Sequence, residues 1–288
     1  MGQEAGGKKL GAAKMSVFIN MGLLATKIVI AFITNSIGLY AESAHSFFDL
    51  LASVLAYLGI RKAEEPEDHS HHFGHEKFEN LSSLLQALLI TGTAGIVLFE
   101  AYQKFSEPTV VEFSELGIGL MLISIPVTLW TSQYLRHIAE KEGSSALEAD
   151  SAHFTTDVIS SVAVLVGLIL VKFGFAFGDP LAAIVVGLVM LYISIELMLK
   201  SFHVFMDFSP SKETMDKIQT VLDNEEEITL YHKLRARLAG SKILIDVHIH
   251  VPPKTSVAEG HRIAHDIETK IMRIVPEVKE VNVHVEPD

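Results

Sequence analysis

Long apolar segments fill the first part of the chain. A helix needs about 20 mostly apolar residues to cross a bilayer, and six segments of roughly that length occur, at residues 15–35, 38–60, 81–103, 114–135, 146–173 and 181–202. Several of them contain charged residues, so the buried helices of a large all-helical soluble protein are the alternative interpretation. Six apolar segments of spanning length are rare in soluble cores. The pattern therefore predicts six transmembrane helices.

Short alternating segments follow after residue 206. Apolar and polar positions alternate, as they do in half-buried strands, at residues 228–238, 242–251 and 278–286. The pair Ser209-Pro210 is typical of a helix start, with Pro at the first helical position, and predicts a helix that ends near residue 223.

A second helix start lies between the later strands. Ser256 and Glu259 form a capping box, which predicts a helix that ends near residue 274. The order αββαβ over about 80 residues indicates a small α+β domain with its helices on one face of a sheet. We therefore divide the chain into a flexible N-terminus (1–13), a six-helix transmembrane domain (14–206) and a cytoplasmic domain (207–288).

Basic residues lie mainly on one side of the predicted bundle. They flank the first, second, fourth and sixth apolar segments, as Lys8, Lys9, Lys14, Arg61, Lys62, Lys77, Arg136, Lys141 and Lys200. The positive-inside rule then places both termini in the cytoplasm. The first segment is long enough to span and a second follows directly, so we interpret it as a helix rather than a cleaved signal peptide.

Composition narrows the chemistry. The 288 residues have a formal net charge of −12, a mean hydropathy of +0.35, fourteen His and no Cys. Any metal site must therefore use His, carboxylate or backbone ligands rather than thiolates. The negative charge disfavours nucleic acid, because phosphates need a basic surface. Neither a P-loop nor an HExxH motif occurs, so we expect the protein not to be an enzyme.

Two predicted spans repeat one motif. The second contains His45 and Asp49, and the fifth contains His153 and Asp157, each pair at positions i and i+4 and so on one helix face. The two spans run antiparallel in the predicted topology, so both pairs can converge. Two imidazoles and two carboxylates suit a tetrahedral divalent metal such as Zn²⁺. Transporters with inverted repeats bind substrate at such an interface.

The motif has a purely structural alternative. A single His or Asp in a span often only bonds a neighbouring helix, but ionisable groups cost roughly 2.5–3.5 kcal/mol each in a membrane and mark functional sites by default. Four of them in two matched pairs favour function. Glu42 and Asp150 lie three residues before each His, and the sequence leaves open whether they orient an imidazole or assist proton passage.

The paired motifs, six spans and α+β domain resemble the cation diffusion facilitator family over essentially the whole chain. The resemblance implies a proton-coupled exporter of divalent metal that works as a homodimer in the lipid bilayer, with a ferredoxin-like (metallochaperone-like) cytoplasmic domain. The His-Asp/His-Asp version of the motif implies Zn²⁺, which agrees with the preference of imidazole for Zn²⁺, Co²⁺, Ni²⁺ and Cd²⁺ over Mn²⁺. Fe²⁺ and Mn²⁺ remain alternative cargoes.

The resemblance also assigns residues outside the spans. In the loop after the second span, Asp68, His71 and His75 match a secondary metal site of bacterial members, with His69 and His72 as additional potential ligands; a solvated, adventitious His-rich loop is the alternative. Lys77 and Asp207 match a charge pair that ties the bundle to the cytoplasmic domain.

The cytoplasmic domain has a third candidate site. Strand alternation places His248 and His250 on one polar face, and His284 and Glu286 on another; a solvated polar face is the alternative. The resemblance implies zinc bound at a dimer interface by His232, His248, His261, His284 and Glu286. Two departures stand against this set: Glu286 occupies the place of an expected Asp, and His232 falls in the apolar register of its strand. The resemblance assigns no role to His250 and His265.

These observations predict alternating access, in which metal loads from the cytoplasm and protons displace it outside, because metal ligands must be deprotonated. We expect an integral protein of the inner (cell) membrane of a bacterium or archaeon. A metal-gated channel, a membrane-bound metal sensor and a metal-dependent hydrolase are the alternative functions.

Overall fold

The structure is a computed structural model that describes residues 2–34, 37–106, 115–173, 175 and 177–288. The chain divides into two compact units, Met1–Phe202 and His203–Asp288. The described part of the first unit contains six long helices, the last of which ends three residues after the boundary. They are α1 (Gly2–Thr34), α2 (Ile37–Ala63), α3 (Lys77–Ser106), α4 (Glu115–Glu142), α5 (Ser145–Lys172) and α6 (Gly178–Phe205). The segment 1–13, predicted to be flexible, belongs to α1 from Gly2 onward, and its residue Lys9 is buried.

Apolar side chains cover the outside of the first unit. Phe18 and Phe32 on α1, Phe99 on α3 and Tyr192 on α6 are all at least 60% exposed. Within the described residues, three helices are long and apolar enough to cross a membrane: α1 over Gly7–Ile33, α3 over Lys77–Phe105 and α6 over Pro180–Phe205. The other three predicted spans correspond to α2, α4 and α5, and α2 and α5 carry the repeated His and Asp residues.

Small residues allow close packing between these helices. A Cβ atom on Gly59 of α2 would lie 2.3 Å from Ser82 Oγ of α3, and one on Gly187 of α6 would lie 2.6 Å from Leu98 Cγ of α3. Such contacts are typical of helix interfaces in membranes. They leave α2 packed against α1, α3 and α5, so α2 and α5, which carry the repeated motif, are neighbours.

The second unit has the predicted order αββαβ. Its elements are α7 (Lys212–Asp223), β1 (Leu230–Ala239), β2 (Lys242–Val251), α8 (Val257–Ile274) and β3 (Val278–Pro287). The strands form one sheet in the order β1-β2-β3, with β1 antiparallel and β3 parallel to β2. The ferredoxin-like order βαββαβ ends with the same five elements.

Side-chain caps fix both helix starts of this unit. Ser256 caps α8 as predicted, because its hydroxyl accepts a hydrogen bond from the Glu259 N–H. The predicted cap of α7 at Ser209 is wrong by two residues. Ser211 is the cap, since its hydroxyl lies within reach of the Thr214 N–H, three residues on.

The core of the second unit lies between the sheet and its helices. Ile263, Ile267 and Ile271 follow one face of α8 and are at most 4% exposed, and they pack with Val247 and Ile249 of β2. This packing takes up one face of the sheet. The opposite face of β2 therefore carries its polar residues, which are only partly buried.

A β-bulge in β1 changes which residues share that face. His232 pairs with His248, but the next pair is Arg235 with Asp246, so β1 has one residue more than β2 over this stretch. Lys233 lies in this bulge and has a positive φ of 50°, which accommodates the extra residue. The bulge shifts the alternation and places His232 on the polar face, which corrects the predicted apolar register of this residue.

Candidate metal centres

The repeated motifs of α2 and α5 meet in the first unit. Ligand atoms of His45, Asp49 and Asp157 all lie within 4.8 Å of one another. His153 Nε2 lies 3.1 Å from Asp49 Oδ1, and His45 Nε2 lies 3.7 Å from the same oxygen. The structure thus groups three of the four residues that the motif predicts and places the fourth, His153, against Asp49. We call these four residues the helix cluster.

The helix cluster lies deep in the first unit. The side chains of His153 and Asp49 are 2% and 8% exposed, whereas that of His45 is 38% exposed. Two carboxylates in such a place repel each other unless a cation compensates them. Imidazole nitrogens and carboxylate oxygens are donor atoms that a tetrahedral divalent metal such as Zn²⁺ accepts.

A buried polar network lies beside the helix cluster. Ser53 of α2 donates to Asp150 Oδ1 of α5 at 2.8 Å and accepts from Ser16 and Asn20 of α1 at 2.7 and 2.8 Å. Asn20 also donates to the backbone carbonyl of Asp49 at 3.2 Å. These bonds join α1, α2 and α5 around the ligands.

The network gives Asp150 a structural partner. Its Oδ1 accepts from Ser53, while its Oδ2 and His153 Nδ1 are buried atoms that find no hydrogen-bond partner in the described part of the chain. The side chain of Glu42, the corresponding acidic residue of α2, lies outside the described residues.

Lys27 of α1 is a charged neighbour of the helix cluster that the repeated motif does not include. Its ammonium donates to Ser46 Oγ at 2.6 Å, and Ser46 directly follows His45. The signal was present in the sequence, because Lys27 is the one charged residue between positions 15 and 33. Ser16, Asn20 and Ser53 gave no such signal, since polar uncharged residues are common in membrane helices.

The loop between α2 and α3 forms a second cluster. Asp68, His71 and His75 offer ligand atoms within 4.8 Å of one another, and we call them the loop cluster. The His75 ring nitrogen Nδ1 lies 3.0 Å from the Pro66 carbonyl oxygen. A carbonyl oxygen only accepts, so Nδ1 donates a proton in this contact, which leaves Nε2 as the nitrogen that faces the rest of the loop cluster.

The Nε2 atom of His75 faces a carboxylate. His75 Nε2 is buried without a hydrogen bond in the described structure, and it lies 3.2 Å from Asp68 Oδ2. A proton or a metal ion can bridge an imidazole nitrogen and a carboxylate oxygen at this distance. The N–H groups of Ser70 and His71 hold the pKa of Asp68 at about 2, below its usual 3.8, so the carboxylate is ionised at neutral pH. His69 and His72 are exposed and lie outside the group.

Cross-strand pairing creates a third cluster in the second unit. His232, His248 and His284 are neighbours across the three strands, and His250 pairs with Glu286. Ligand atoms of His232, His248 and Glu286 lie within 4.8 Å of one another, and we call these three the sheet cluster. The bulge at Lys233 makes this possible, because without it His232 would face the core.

Glu286 is the centre of the sheet cluster. Its Oε1 lies 2.7 Å from His248 Nδ1 and its Oε2 lies 3.2 Å from His232 Nε2, and these hydrogen bonds lower the pKa of Glu286 from 4.5 to about 2. His284 and His250 approach the same carboxylate at 3.5 and 3.4 Å. His250, to which the resemblance gave no role, thus faces the cluster.

Other predicted residues lie apart from these clusters. His261 and His265 are exposed on α8, and neither belongs to the group formed in this chain. The Asp207 carboxylate accepts from Arg237 Nη1 at 3.1 Å, and Lys77 begins α3. Lys77 and Asp207 belong to different units, so their pairing stays a prediction.

Comparison with known proteins matches both units to cation efflux proteins. The family model for the cation efflux transmembrane domain matches residues 13–206, and the model for the cytoplasmic domain of cation efflux proteins matches residues 210–288. An uncharacterized transporter of Methanocaldococcus jannaschii is 30% identical over 272 residues, which are 94% of this chain and 96% of that protein.

The chain is also similar to a further transporter and to one solved domain. The cation-efflux pump FieF of Shewanella oneidensis is 28% identical over 276 residues, covering 96% of this chain and 93% of the pump. The solved metal-bound C-terminal domain of the CzcD transporter from Thermotoga maritima is 29% identical, with a TM-score of 0.26, and covers 26% of this chain and 87% of that domain. Matches over nearly the whole chain show an integral membrane protein that belongs to the cation diffusion facilitator family of metal exporters, whose members are transporters rather than enzymes.

Proposed function

We propose that this protein exports Zn²⁺ from the cytoplasm in exchange for protons, with the metal held by His45, Asp49, His153 and Asp157. The observation that supports this most directly is the convergence of the helix cluster, where three residues offer ligand atoms within 4.8 Å and His153 lies 3.1 Å from Asp49. The metal here is cargo, so the cluster must both bind and release it.

The mixed donor set favours zinc. Imidazole nitrogen suits Zn²⁺, Co²⁺, Ni²⁺ and Cd²⁺, whereas sites made only of oxygen suit Mn²⁺ and Mg²⁺. Two imidazoles and two carboxylates also complete a tetrahedron, which is the usual zinc geometry. Co²⁺, Ni²⁺, Cd²⁺, Fe²⁺ and Mn²⁺ are the cargoes that the experiments below compare with zinc.

Proton exchange follows from the same ligands. Imidazole and carboxylate must lose their protons to hold a metal, so protons and metal compete for one site. His titrates near neutral pH, which allows a proton entering from outside to displace the metal there. Alternating access between the two sides then couples metal export to proton entry.

The remaining parts of the proposal concern architecture. We propose that α1–α6 all cross the inner membrane with both termini in the cytoplasm, and that two copies form a homodimer through the second unit. The loop and sheet clusters then bind regulatory metal on the cytoplasmic side. In such a dimer the exposed His261 of a second copy can join the sheet cluster, and Lys77 can pair with Asp207.

Transport in liposomes tests the function. Purified protein is reconstituted with a zinc-sensitive dye inside, and Zn²⁺ is added with and without a pH gradient. We expect gradient-driven uptake that Asp49→Ala and Asp157→Ala reduce to the level of empty liposomes. Asp216→Ala, at an exposed position of α7, is the matched control and should transport normally.

A channel and a sensor would give different results. A metal-gated channel conducts zinc without proton counter-movement, and a sensor binds zinc without flux. Uptake that both aspartate variants leave unchanged would remove the helix cluster from the mechanism.

Metal selectivity tests the ligand assignment separately. His45→Asp replaces an imidazole by a carboxylate, so we expect transport of Mn²⁺ to rise relative to Zn²⁺. His265→Asp, on the exposed face of α8, should leave the ratio unchanged. An unaltered Mn²⁺ to Zn²⁺ ratio in His45→Asp would contradict the assignment of His45 as a ligand.

A further inference from the structure

A positive charge lies beside the helix cluster on a helix that supplies none of its proposed ligands. Lys27 is the one charged residue between positions 15 and 33 and lies within the candidate span Gly7–Ile33 of α1. A basic side chain inside a bilayer is costly, and it is found there mainly where it pairs with a partner and serves a function.

The surroundings of Lys27 identify its partners. The ammonium donates to Ser46 Oγ of α2 at 2.6 Å, and Ser46 is 3% exposed and adjacent to His45. Ser46 lies one residue after His45 and three residues before Asp49 on α2, so this hydrogen bond holds the ammonium beside the segment that carries two of the four proposed ligands. Hence α1 places a basic side chain beside the helix cluster.

A sum of charges shows what this cation does. With both carboxylates ionised and both imidazoles neutral, the ligands carry two negative charges, which a divalent metal neutralises. Lys27 leaves the empty site with one net negative charge and the loaded site with one net positive charge. It therefore attracts the empty carboxylates and repels the bound metal, and both effects are strong in a poorly solvated site.

We propose that Lys27 is a tethered counter-cation of the helix cluster, which compensates Asp49 and Asp157 when the site is empty and weakens metal binding enough for release. A conduction site must bind its ion firmly enough to load and weakly enough to let go. Lys27 is thus a positioned charge that sets affinity, not a ligand. This inference rests on the proposed function of the helix cluster as the transport site.

Zinc binding to the full-length protein in detergent tests the proposal. Asp68→Ala and His248→Ala first disable the loop and sheet clusters, and Zn²⁺ affinity is then measured by competition with a chelating dye. In this background we expect Lys27→Met to tighten zinc binding about tenfold. Lys27→Arg, which keeps the charge, should stay within about threefold of the parent protein.

Transport separates this role from a structural one. In liposomes Lys27→Met should lower both KM and kcat for zinc, because the metal binds more tightly and leaves more slowly, and Lys27→Arg should restore both. Lys14→Met, at an exposed position of the same helix, is the matched control and should change neither.

The outcomes distinguish this inference from the proposed function. If Asp49→Ala keeps the zinc affinity of the background protein, the proposed site is wrong whatever Lys27 does. If Asp49→Ala abolishes binding but Lys27→Met binds zinc equally or more weakly, the counter-cation role is overturned. Lys27→Gln keeps a donor for Ser46 and replaces Lys27→Met if that variant does not fold. Loss of folding in both neutral variants would assign Lys27 to structure and also overturn the proposal.

Discussion

The helix cluster and the sheet cluster use the same kinds of ligand in opposite surroundings. In the helix cluster the His153 and Asp49 side chains are 2% and 8% exposed, although His45 reaches 38%. In the sheet cluster the side chains of His248, Glu286 and His232 are all 20–35% exposed. Water can solvate the sheet cluster without metal. The helix cluster relies on neighbouring protein groups, and these are Lys27 and the network around Ser53.

The same contrast extends to the two units. The first unit turns large apolar side chains outward and buries polar contacts between helices, while the second buries an apolar core under α8 and keeps its ion pairs at the surface. A buried polar group that loses its partner is costly, whereas an exposed ion pair contributes about 0–1 kcal/mol. Equivalent substitutions should therefore have very different effects in the two environments.

The largest effect is expected at the buried pair Lys9–Glu79. Lys9 Nζ lies 2.9 Å from Glu79 Oε1, both side chains are at most 8% exposed, and Ser144 Oγ donates to Glu79 Oε2 at 2.5 Å. Lys9→Met leaves the Glu79 charge without this ammonium. Removing one partner of a buried pair costs about 3–5 kcal/mol, which lowers the melting temperature by roughly 10 °C for a unit of this size.

A control for Lys9→Met lies in the same unit. Arg136 and Glu140 form an ion pair with side chains 73% and 66% exposed, so Arg136→Met should shift the melting temperature by less than about 3 °C. Fluorescence of Trp130, the chain's one tryptophan, follows unfolding of the first unit in detergent for both variants. Equal shifts for the two variants would refute the contrast between buried and exposed pairs.

The second effect concerns the polar network beside the helix cluster. Ser53→Ala removes the donor to Asp150 Oδ1 and the acceptor used by Ser16 and Asn20. Leaving buried groups unpaired costs about 1–3 kcal/mol, and we expect zinc transport to slow because α1, α2 and α5 lose a shared contact. Thermal unfolding followed by Trp130 fluorescence and liposome uptake measure the two effects.

Ser201→Ala is the matched control for Ser53→Ala. Ser201 is 1% exposed, and its hydroxyl finds no hydrogen-bond partner in the described part of the chain. Removing it should leave stability unchanged or improve it slightly, because a buried hydroxyl without a partner is itself unfavourable. If both Ser→Ala variants lose stability equally, the network contributes nothing beyond packing.

The sequence predicts local geometry better than contacts between distant residues. The i, i+4 spacing of His45–Asp49 and His153–Asp157 fixes one helix face each, and the alternation in β2 fixes the face of His248. The network of Ser16, Asn20, Ser53 and Asp150 depends on how three helices pack, and no periodicity encodes that. These serines and this asparagine are recognisable as a network only once the helices are in place.

The bulge at Lys233 shows the same limit within a single strand. Regular alternation predicts that His232 faces the core, and one residue with a positive φ reverses this. Lys gives no signal for such a conformation, which Gly or Asn usually adopts. The face of His232 therefore depends on the pairing with β2, which the strand's own sequence does not reveal.

The third-largest effect is expected from substitutions of Lys233 in the β-bulge. A β-branched residue tolerates a positive φ poorly, so Lys233→Val should destabilise the second unit by about 1–2 kcal/mol. Lys233→Gly should stabilise it by up to about 1 kcal/mol, since Gly adopts this φ freely but loses more chain entropy. Urea unfolding of residues 203–288, followed by the fluorescence of Tyr231, measures both values.

Zinc binding and a control complete the test of the bulge. Lys233→Gly should keep the zinc affinity of the sheet cluster, because His232 stays opposite His248. Lys242→Val, at the regular start of β2, should change stability by less than about 0.5 kcal/mol. A stable Lys233→Val variant with unchanged zinc binding would show that the bulge does not need a residue with positive φ.

The smallest effect is the pH dependence of the sheet cluster. Hydrogen bonds from His248 and His232 lower the pKa of Glu286 from 4.5 to about 2 in the folded protein. A carboxyl group with a lowered folded pKa stabilises the folded state above its unfolded pKa, and this stabilisation disappears as the pH falls through the folded value. In zinc-free buffer, the difference in unfolding free energy between the unaltered fragment 203–288 and Glu286→Gln should therefore shrink as the pH falls from about 4.5 to 2. Glu226→Gln, at an exposed position outside the cluster, is the control for a general effect of removing one acid. A difference for Glu286→Gln that does not change between pH 5 and 2 would show that the histidines do not hold this carboxylate, and the sheet cluster would then be no more than a solvated polar face.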